Sequence, residues 1–178
     1  IATSLCESDD IIAKQCSVAN IDCFRGSLQN VAKRFLDCAK FYKSDAAVRI
    51  SGDSPLIDSD LIEKAIALYK KSTPDLVTNV FPRTYPKGQS VEVINVNSFE
   101  NISRKWTSSF DKEHVTTALY KNPGCEIASF AHFEDYSDVQ LSIDNLSDLQ
   151  SLEKILKQSQ PKASWEQLAL AKRCQVFE

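Results

Sequence analysis

The chain has 178 residues, of which 43% are hydrophobic and 25% are charged, and its formal net charge is -3. This length and composition are typical of a globular protein that buries a core within one domain. Nucleic acid binding is disfavoured, because Lys and Arg form no basic cluster along the sequence. Neither a signal peptide nor a membrane-spanning segment is recognisable, so we expect no membrane association.

The cysteines and the start of the chain lead to two further expectations. Six cysteines occur with only two histidines and without a C-x-x-C pair, which disfavours a zinc site and a disulfide framework. We therefore predict reduced thiols in a cytoplasmic protein. The sequence contains no methionine and opens with Ile1 inside a predicted strand, which predicts a chain that lacks its natural N-terminus.

The first half of the chain alternates between predicted strands and helices. The first elements are a strand at 1–4 and a helix that is capped by Asp9 or Asp10 and carries Ile11, Ile12 and Cys16. An extended piece at 19–24 and a turn at 25–27 come next. They are followed by a helix at 27–43, a buried strand from residue 46, a helix capped within 58–60 and a strand at 75–81. This alternation predicts an α/β fold, with a mostly parallel sheet and helices on both faces.

The second half is less regular. Residues 81–89 contain two prolines and a glycine and predict an irregular surface loop that carries binding residues. The remaining predicted elements are a strand at 91–94, helices near 99–106 and 111–120, strands at 126–130 and 139–143, and helices at 149–156 and 165–176. A linker is expected at 158–162, so we predict a main domain at 1–158 and a C-terminal helical extension at 159–178.

Two aspartates follow predicted strands. Asp53 lies in the loop after the strand that starts at residue 46, and Asp144 follows the strand at 139–143. Because ligands bind at the carboxyl edge of open α/β sheets, the two carboxylates are candidates for a shared magnesium site. The alternative is that Asp53 is a turn residue and Asp144 a helix cap.

Several other polar residues are candidates for ligand binding. Glu92 stands in an apolar strand, so its carboxylate needs a partner or a ligand to offset its desolvation. Lys87 lies on the irregular loop, where a phosphate or sugar acid would give it a binding role. His114 is either a general base or a structural residue at a helix start. The pattern Asp58-Ser-Asp60 resembles the Asp-x-Asp of glycosyltransferases, but its position favours a helix cap.

Four stretches in a fixed order resemble one protein family. They are residues 48–58 (VRISGDSPLID), 85–93 (YPKGQSVEV), 113–116 (EHVT) and 141–149 (LSIDNLSDL). Together they resemble the cytidylyltransferase family of spore coat polysaccharide biosynthesis, which is related to acylneuraminate cytidylyltransferases. The resemblance runs from residue 1 to about residue 155.

The resemblance implies a nucleotide-diphosphosugar transferase fold and transfer of CMP from CTP to a sugar acid, with release of pyrophosphate. It implies that Asp53 and Asp144 are catalytic and hold Mg²⁺. By the same resemblance, Arg49 and Gly52 join Asp53 at the nucleotide, and the sugar is contacted by Lys87, Gly88, Glu92 and His114. A homodimer is also implied.

The sequence departs from the family pattern in several places. The Gly-rich, Arg- and Lys-containing loop that grips CTP in the family is not present, and neither is the first strand of the fold. Ser54 stands where Cys is frequent, Gln140 where a basic residue is common, and Asn145 where Thr is usual. Two alternatives therefore accompany the cytidylyltransferase prediction, namely a glycosyltransferase of similar fold that uses a nucleotide sugar and a degenerate, non-catalytic homologue.

Overall fold

A computed structural model of the chain describes residues 1–160 and 162–175. The chain divides into two compact units, the first comprising Ile1–Ala47 and Ile94–Glu126 and the second comprising Val48–Val93 and Ile127–Glu178. The predicted domain boundary near residue 158 remains a prediction. Pro161 of the predicted linker and Val176 of the last predicted helix lie outside the described residues.

The described residues form short strands and longer helices. The strands are β1 (Ala2–Ser4), β2 (Phe24–Gly26), β3 (Ala46–Arg49), β4 (Leu76–Thr78), β5 (Glu92–Asn95) and β6 (Ile127–Ser129). The helices are α1 (Asp10–Val18), α2 (Val31–Phe41), α3 (Ser59–Ser72), α4 (Val96–Ser103), α5 (Ser109–Glu113), α6 (Thr117–Tyr120), α7 (Leu146–Gln158) and α8 (Trp165–Gln175).

The strands belong to two sheets. Strands β1 and β2 pair in parallel, with Ala2 opposite Phe24. The second sheet has the order β3-β5-β4-β6, and its β4 and β6 pair in parallel, with Leu76 opposite Ile127. The predicted mixed α/β fold with parallel strand pairs is confirmed, although its strands divide between two sheets.

Helix α2 supplies part of the core of the first unit. Asn30 caps the helix by accepting a hydrogen bond from the backbone N–H of Lys33, and this cap explains why the helix begins later than predicted. Beside the buried face of the helix, Phe35 packs edge-on against Phe99, with ring centroids 5.9 Å apart. The buried residues of the helix recur at helical spacing and are Ala32, Leu36 and Ala39.

Helix α1 differs from the prediction in its cap and in its buried face. The carboxylate of Asp9 does not cap the helix, because it accepts hydrogen bonds from the backbone N–H of Ser4 at 2.9 Å and from Thr3 Oγ1 at 2.7 Å. These bonds lower the pKa of Asp9. Cys16 is buried, but the other two apolar residues named for this helix, Ile11 and Ile12, are exposed.

In the second unit, α3 begins as predicted. Asp58 caps it, and its carboxylate accepts a hydrogen bond from the backbone N–H of Asp60 at 2.9 Å. The helix buries Leu61 and Ala65. The interpretation of residues 58–60 as a helix cap rather than as an Asp-x-Asp motif therefore agrees with the structure.

Helix α8 packs against aromatic side chains of the second unit. Trp165 meets the ring of Tyr85 at a centroid distance of 5.2 Å, and Tyr85 is almost completely buried. Near the other end of the helix, Arg173 donates hydrogen bonds to Asp138 and lowers the pKa of that carboxyl. Both ends of α8 are thus attached to the second unit.

Three segments differ from their predicted secondary structure. Strand β2 covers Phe24–Gly26, where the end of an extended piece and a turn were expected. The helix expected at 111–120 is divided into α5 and α6, because His114 between them has non-helical backbone angles. Residues 139–143 make one isolated parallel bridge, from Gln140 to Lys87, instead of a strand.

Two features of the described part of the chain bear on its environment. Each of its six cysteines is a free thiol. Its helices are too short or too polar to cross a membrane.

Candidate active site

The loop after β3 presents Asp53 to solvent while its backbone is held in place. The backbone N–H of Ile143 donates a hydrogen bond to the carbonyl oxygen of Asp53 at 2.8 Å. The side chain of Asp53 is exposed, and its Oδ1 accepts a hydrogen bond from Ser54 Oγ at 2.8 Å. Since Asp144 follows Ile143 directly, the two predicted metal ligands come from adjacent stretches of backbone.

Asp144 is also exposed, but it does not lie where the sequence pattern put it. It precedes α7 rather than ending a strand, and the cap of that helix is Asn145, whose side chain accepts hydrogen bonds from two backbone N–H groups. Both the strand-end prediction and the helix-cap alternative for Asp144 are therefore wrong. The carboxylate is oriented instead by Gln140, whose Nε2 donates to Asp144 Oδ2 at 2.9 Å and to Asp148 Oδ2 at 3.2 Å.

The donor set fits a magnesium ion that shares its ligands with a phosphate. Among residues 1–160 and 162–175, no group of three or more His, Cys, Asp and Glu side chains is placed to hold a metal ion alone. Magnesium is usually bound by one or two carboxylates together with substrate phosphates. Asp53 and Asp144 each accept a hydrogen bond with one carboxylate oxygen, from Ser54 and from Gln140 respectively.

The loop that carries Lys87 and Gly88 runs beside residues 139–142. The backbone N–H of Lys87 donates to the carbonyl of Val139 at 2.9 Å, and the N–H of Leu141 donates to the carbonyl of Lys87 at 2.7 Å. Gly88 has a φ of +93°, and a Cβ there would lie 2.5 Å from the carbonyl carbon of Leu141. Glycine is required at this position, because the two backbone segments are too close for a side chain. The side chain of Lys87 is exposed.

Arg49 and Glu92 form an ion pair. Glu92 is only 2% exposed, and its Oε2 accepts a hydrogen bond from Arg49 Nη1 at 2.8 Å. The sequence predicted that the carboxylate of Glu92 has a partner or a ligand, and Arg49 is such a partner. The roles of Glu92 in sugar binding and of Arg49 in nucleotide binding remain predictions.

The last two predicted residues are Gly52 and His114. Gly52 is exposed, and a Cβ there would have nothing within 4 Å, so the loop itself leaves space for a ligand to approach its backbone. His114 belongs to the first unit, where its exposed ring packs on Phe110 with centroids 4.2 Å apart. His114 follows the last residue of α5, so it does not stand at the helix start that the sequence predicted.

Sequence reasoning missed the buried amides of Gln89 and Asn79. Neither side chain has measurable exposure. Asn79 Nδ2 donates to the carbonyl of Gln89 at 2.7 Å, and its Oδ1 accepts from the N–H of Val91 at 2.9 Å. The only signal in the sequence was a pair of uncharged polar residues bordering two apolar runs, a pattern that occurs equally in exposed loops.

The chain is similar in sequence to two proteins and in structure to a cytidylyltransferase. An uncharacterized protein of Methanocaldococcus jannaschii is 30% identical over 151 residues, which are 83% of this chain and 61% of that protein. The spore coat polysaccharide biosynthesis protein SpsF of Bacillus subtilis is 28% identical over 163 residues, which are 89% of this chain and 67% of that protein. The structure of a cytidylyltransferase from Leptospira borgpetersenii superposes with a TM-score of 0.88 at 25% identity, over 98% of this chain and 75% of that one.

The chain thus spans 61% and 67% of the lengths of these two curated relatives. The profile of one family, described as Cytidylyltransferase, matches residues 1–173. Because that match includes nearly all of the sequence, the chain belongs to the cytidylyltransferase family.

Proposed function

We propose that this chain forms part of an enzyme that transfers CMP from CTP to a sugar acid and releases pyrophosphate, in the synthesis of a surface polysaccharide. Family membership supports the nucleotidyl transfer. The name of the Bacillus subtilis relative supports the polysaccharide pathway. The observation on which the proposal rests is the hydrogen bond from the N–H of Ile143 to the carbonyl of Asp53, which joins the segments of the two exposed carboxylates.

In this reaction a hydroxyl oxygen of the sugar acid attacks the α-phosphorus of CTP. The bond between that phosphorus and the pyrophosphate oxygen breaks, pyrophosphate leaves, and the hydroxyl proton passes to solvent water. The carboxylates of Asp53 and Asp144 would hold Mg²⁺. When bound, the ion neutralises charge on the phosphate oxygens and aligns the reacting groups.

The other residues have binding roles in this proposal. The exposed ammonium group of Lys87 is suited to pair with the carboxylate of the sugar acid. The Asp53 loop comprises residues 50–58, between β3 and α3. Gly52 lets the nucleotide approach the backbone of this loop, because no atom lies within 4 Å of the position that a Cβ on Gly52 would take. Arg49 is assigned to the nucleotide, and its ion pair with Glu92 fixes the position of that buried carboxylate. His114 is assigned to the sugar by resemblance alone.

The test is magnesium-dependent release of pyrophosphate by the full-length protein, from CTP and a panel of sugar acids. Asp53→Asn and Asp144→Asn should each lower kcat by about 100-fold or more, because each removes a charged ligand of the metal. Asp22→Asn is the matched control, since Asp22 is another exposed aspartate with no place in the proposed site. Full activity in either site variant would contradict the metal assignment.

The assay also separates the proposal from its alternatives. A glycosyltransferase of similar fold would release no pyrophosphate from CTP and would consume a nucleotide sugar instead. A non-catalytic homologue would do neither, and Asp53→Asn would then leave nucleotide binding unchanged. Absence of pyrophosphate release with every sugar acid would refute the proposed function.

A cytoplasmic location and a homodimeric state complete the proposal. The free cysteines support the reducing compartment, and the resemblance to related enzymes supports the dimer. Light scattering after gel filtration would measure the mass, and a monomer at micromolar concentration would contradict the dimer.

A further inference from the structure

Three segments of the second unit meet around the Asp53 loop. The N–H of Ile143 bonds to the carbonyl of Asp53 at 2.8 Å. Residues 139–142 in turn run beside Lys87 and Gly88. Two backbone hydrogen bonds join the two segments, and they lie too close together for a Cβ on Gly88. A third link closes this ring of contacts, because the next residue, Gln89, reaches back to the end of the Asp53 loop.

This third link consists of the side-chain amide of Gln89. Its Oε1 accepts a hydrogen bond from the N–H of Asp58 at 3.0 Å, and its Nε2 donates to the carbonyl of Leu56 at 2.7 Å. A buried amide that lost such partners would leave unsatisfied polar groups on both sides. The pair of bonds therefore needs one acceptor and one donor on the same side chain.

The backbone of Gln89 is fixed independently of its side chain. Its carbonyl accepts from Asn79 Nδ2 at 2.7 Å, and its N–H donates to the carbonyl of Pro86 at 3.1 Å. The side-chain amide thus extends from a fixed backbone to Leu56 and Asp58, which belong to the same loop as Asp53. A change in the amide would alter the position of that loop and leave the anchor in place.

We propose that the side-chain amide of Gln89 is a positioning group that sets the place of the Asp53 loop relative to Asp144. The structural part of this inference is independent of the proposed function, and only its consequence for catalysis rests on that function. A misplacement of about 1 Å in a catalytic group can cost about 100-fold in rate. The amide of Gln89 therefore acts on the reaction through Asp53 and has no contact with the substrate.

The variant Gln89→Glu tests this proposal, because its protonated and ionised forms can be compared in the same protein. A protonated glutamic acid has the acceptor and the donor of the amide, so it can bond to both Asp58 and Leu56. An ionised carboxylate has no donor and faces the carbonyl oxygen of Leu56. Because burial raises the pKa of a carboxyl group above its usual value of about 4.3, the variant should change between the two states in an accessible pH range.

Charged groups near position 89 also affect that pKa. They are Asp58 on the Asp53 loop, Arg83 and Lys87 on the loop before position 89, and Glu92 on β5. Asp58 has its carboxylate bonded to the backbone N–H groups of Asp60 and Trp165, and Glu92 is paired with Arg49. The two acidic groups raise the pKa of the introduced carboxyl further, and the two basic groups lower it.

Hydrogen–deuterium exchange of the full-length protein is the direct measurement, because it requires neither metal nor activity. Relative to the wild type at each pH, Gln89→Glu should exchange normally at pH 5. At pH 9, peptides covering 50–58 should exchange about tenfold faster or more, because the hydrogen bond to the carbonyl of Leu56 is replaced by repulsion between that oxygen and the carboxylate. Gln89→Met, which has neither donor nor acceptor, should show the fast exchange at both pH values.

Activity provides the second measurement. In Gln89→Glu, kcat should approach the wild-type value at low pH and fall by about tenfold or more at high pH, with a smaller change in the KM for CTP. Gln15→Glu, an exposed glutamine on α1, is the control and should follow the wild-type pH profile. If the wild type is inactive, the proposed function fails, while the exchange experiment still tests the positioning role.

Two results would overturn the inference. One is wild-type exchange of peptides 50–58 in Gln89→Glu at pH 9. The other is fast exchange in all peptides at pH 9, which would assign Gln89 to the stability of the whole fold.

Discussion

Substitution of Gly88 by alanine should be strongly destabilising. The backbone of Gly88 has a φ of +93°, which costs an L-residue about 1–2 kcal/mol. A Cβ there would lie 2.5 Å from the carbonyl carbon of Leu141, 2.6 Å from the backbone nitrogen of Ser142 and 2.7 Å from the carbonyl oxygen of Leu141. Moving these backbone atoms away adds overpacking strain of about 1–3 kcal/mol. The expected loss in the free energy of unfolding is therefore about 2–5 kcal/mol.

Urea denaturation followed by circular dichroism would measure this loss in the full-length protein. Gly124→Ala is the matched control, because its Cβ would have a single neighbour at 3.8 Å and its φ is not positive. We expect Gly124→Ala to change the free energy of unfolding by less than about 1 kcal/mol. Equal stabilities of the two alanine variants would refute the close packing of Gly88 against residues 141–142.

Three further predictions concern stability. Asn145→Ala removes the cap of α7 and should cost about 1 kcal/mol in urea denaturation. Arg49→Met removes the ion-pair partner of the buried Glu92 and should cost about 3 kcal/mol, whereas the double variant Arg49→Met/Glu92→Gln should cost less. Hydrogen bonds lower the pKa of Asp9 below its ordinary value of 3.8, so its stabilising contribution is complete above that pH and is lost as the pH falls further. Asp9→Asn should therefore have a lower Tm at pH 7 and a weaker decline of Tm in acid.

Each of these predictions has its own contrary outcome. Asn101→Ala, at an exposed position within α4, is the control for the cap, and an equal effect of the two Asn variants would exclude a special role for Asn145. If the double variant is as unstable as Arg49→Met, the ion pair does not explain the burial of Glu92. An unchanged acid dependence of Tm in Asp9→Asn would show that Asp9 does not contribute to it.

The helices were predictable where a local signal marks their start. Asp58 caps α3 at the predicted place, and apolar spacing identified α2 and α7. Such features depend on residues within a few positions of each other, so a single chain contains the information. The α/β class followed in the same way from the alternation of apolar runs and amphipathic stretches.

Local patterns failed where a distant segment decides the conformation. Residues 139–143 have the composition of a strand, but their partner is the irregular stretch at Lys87 and Gly88, so only one bridge forms. Asp9 or Asp10 was expected to cap α1, but the carboxylate of Asp9 bonds to Thr3 and Ser4 instead. The exposure of Ile11 depends on which surfaces cover α1, and periodicity does not encode those surfaces.

The residues of the candidate site were predictable from the sequence, but the hydrogen-bonded pairs that they form were not. Asp53, Lys87 and Asp144 were identifiable because acidic and basic residues border apolar runs and match a family's motifs. The sequence could not reveal that Arg49 neutralises Glu92, or that the amide of Gln89 holds the loop of Asp53. Those contacts join residues that are 43 and 33 positions apart, and only the folding of the chain brings such distant polar groups within hydrogen-bonding distance.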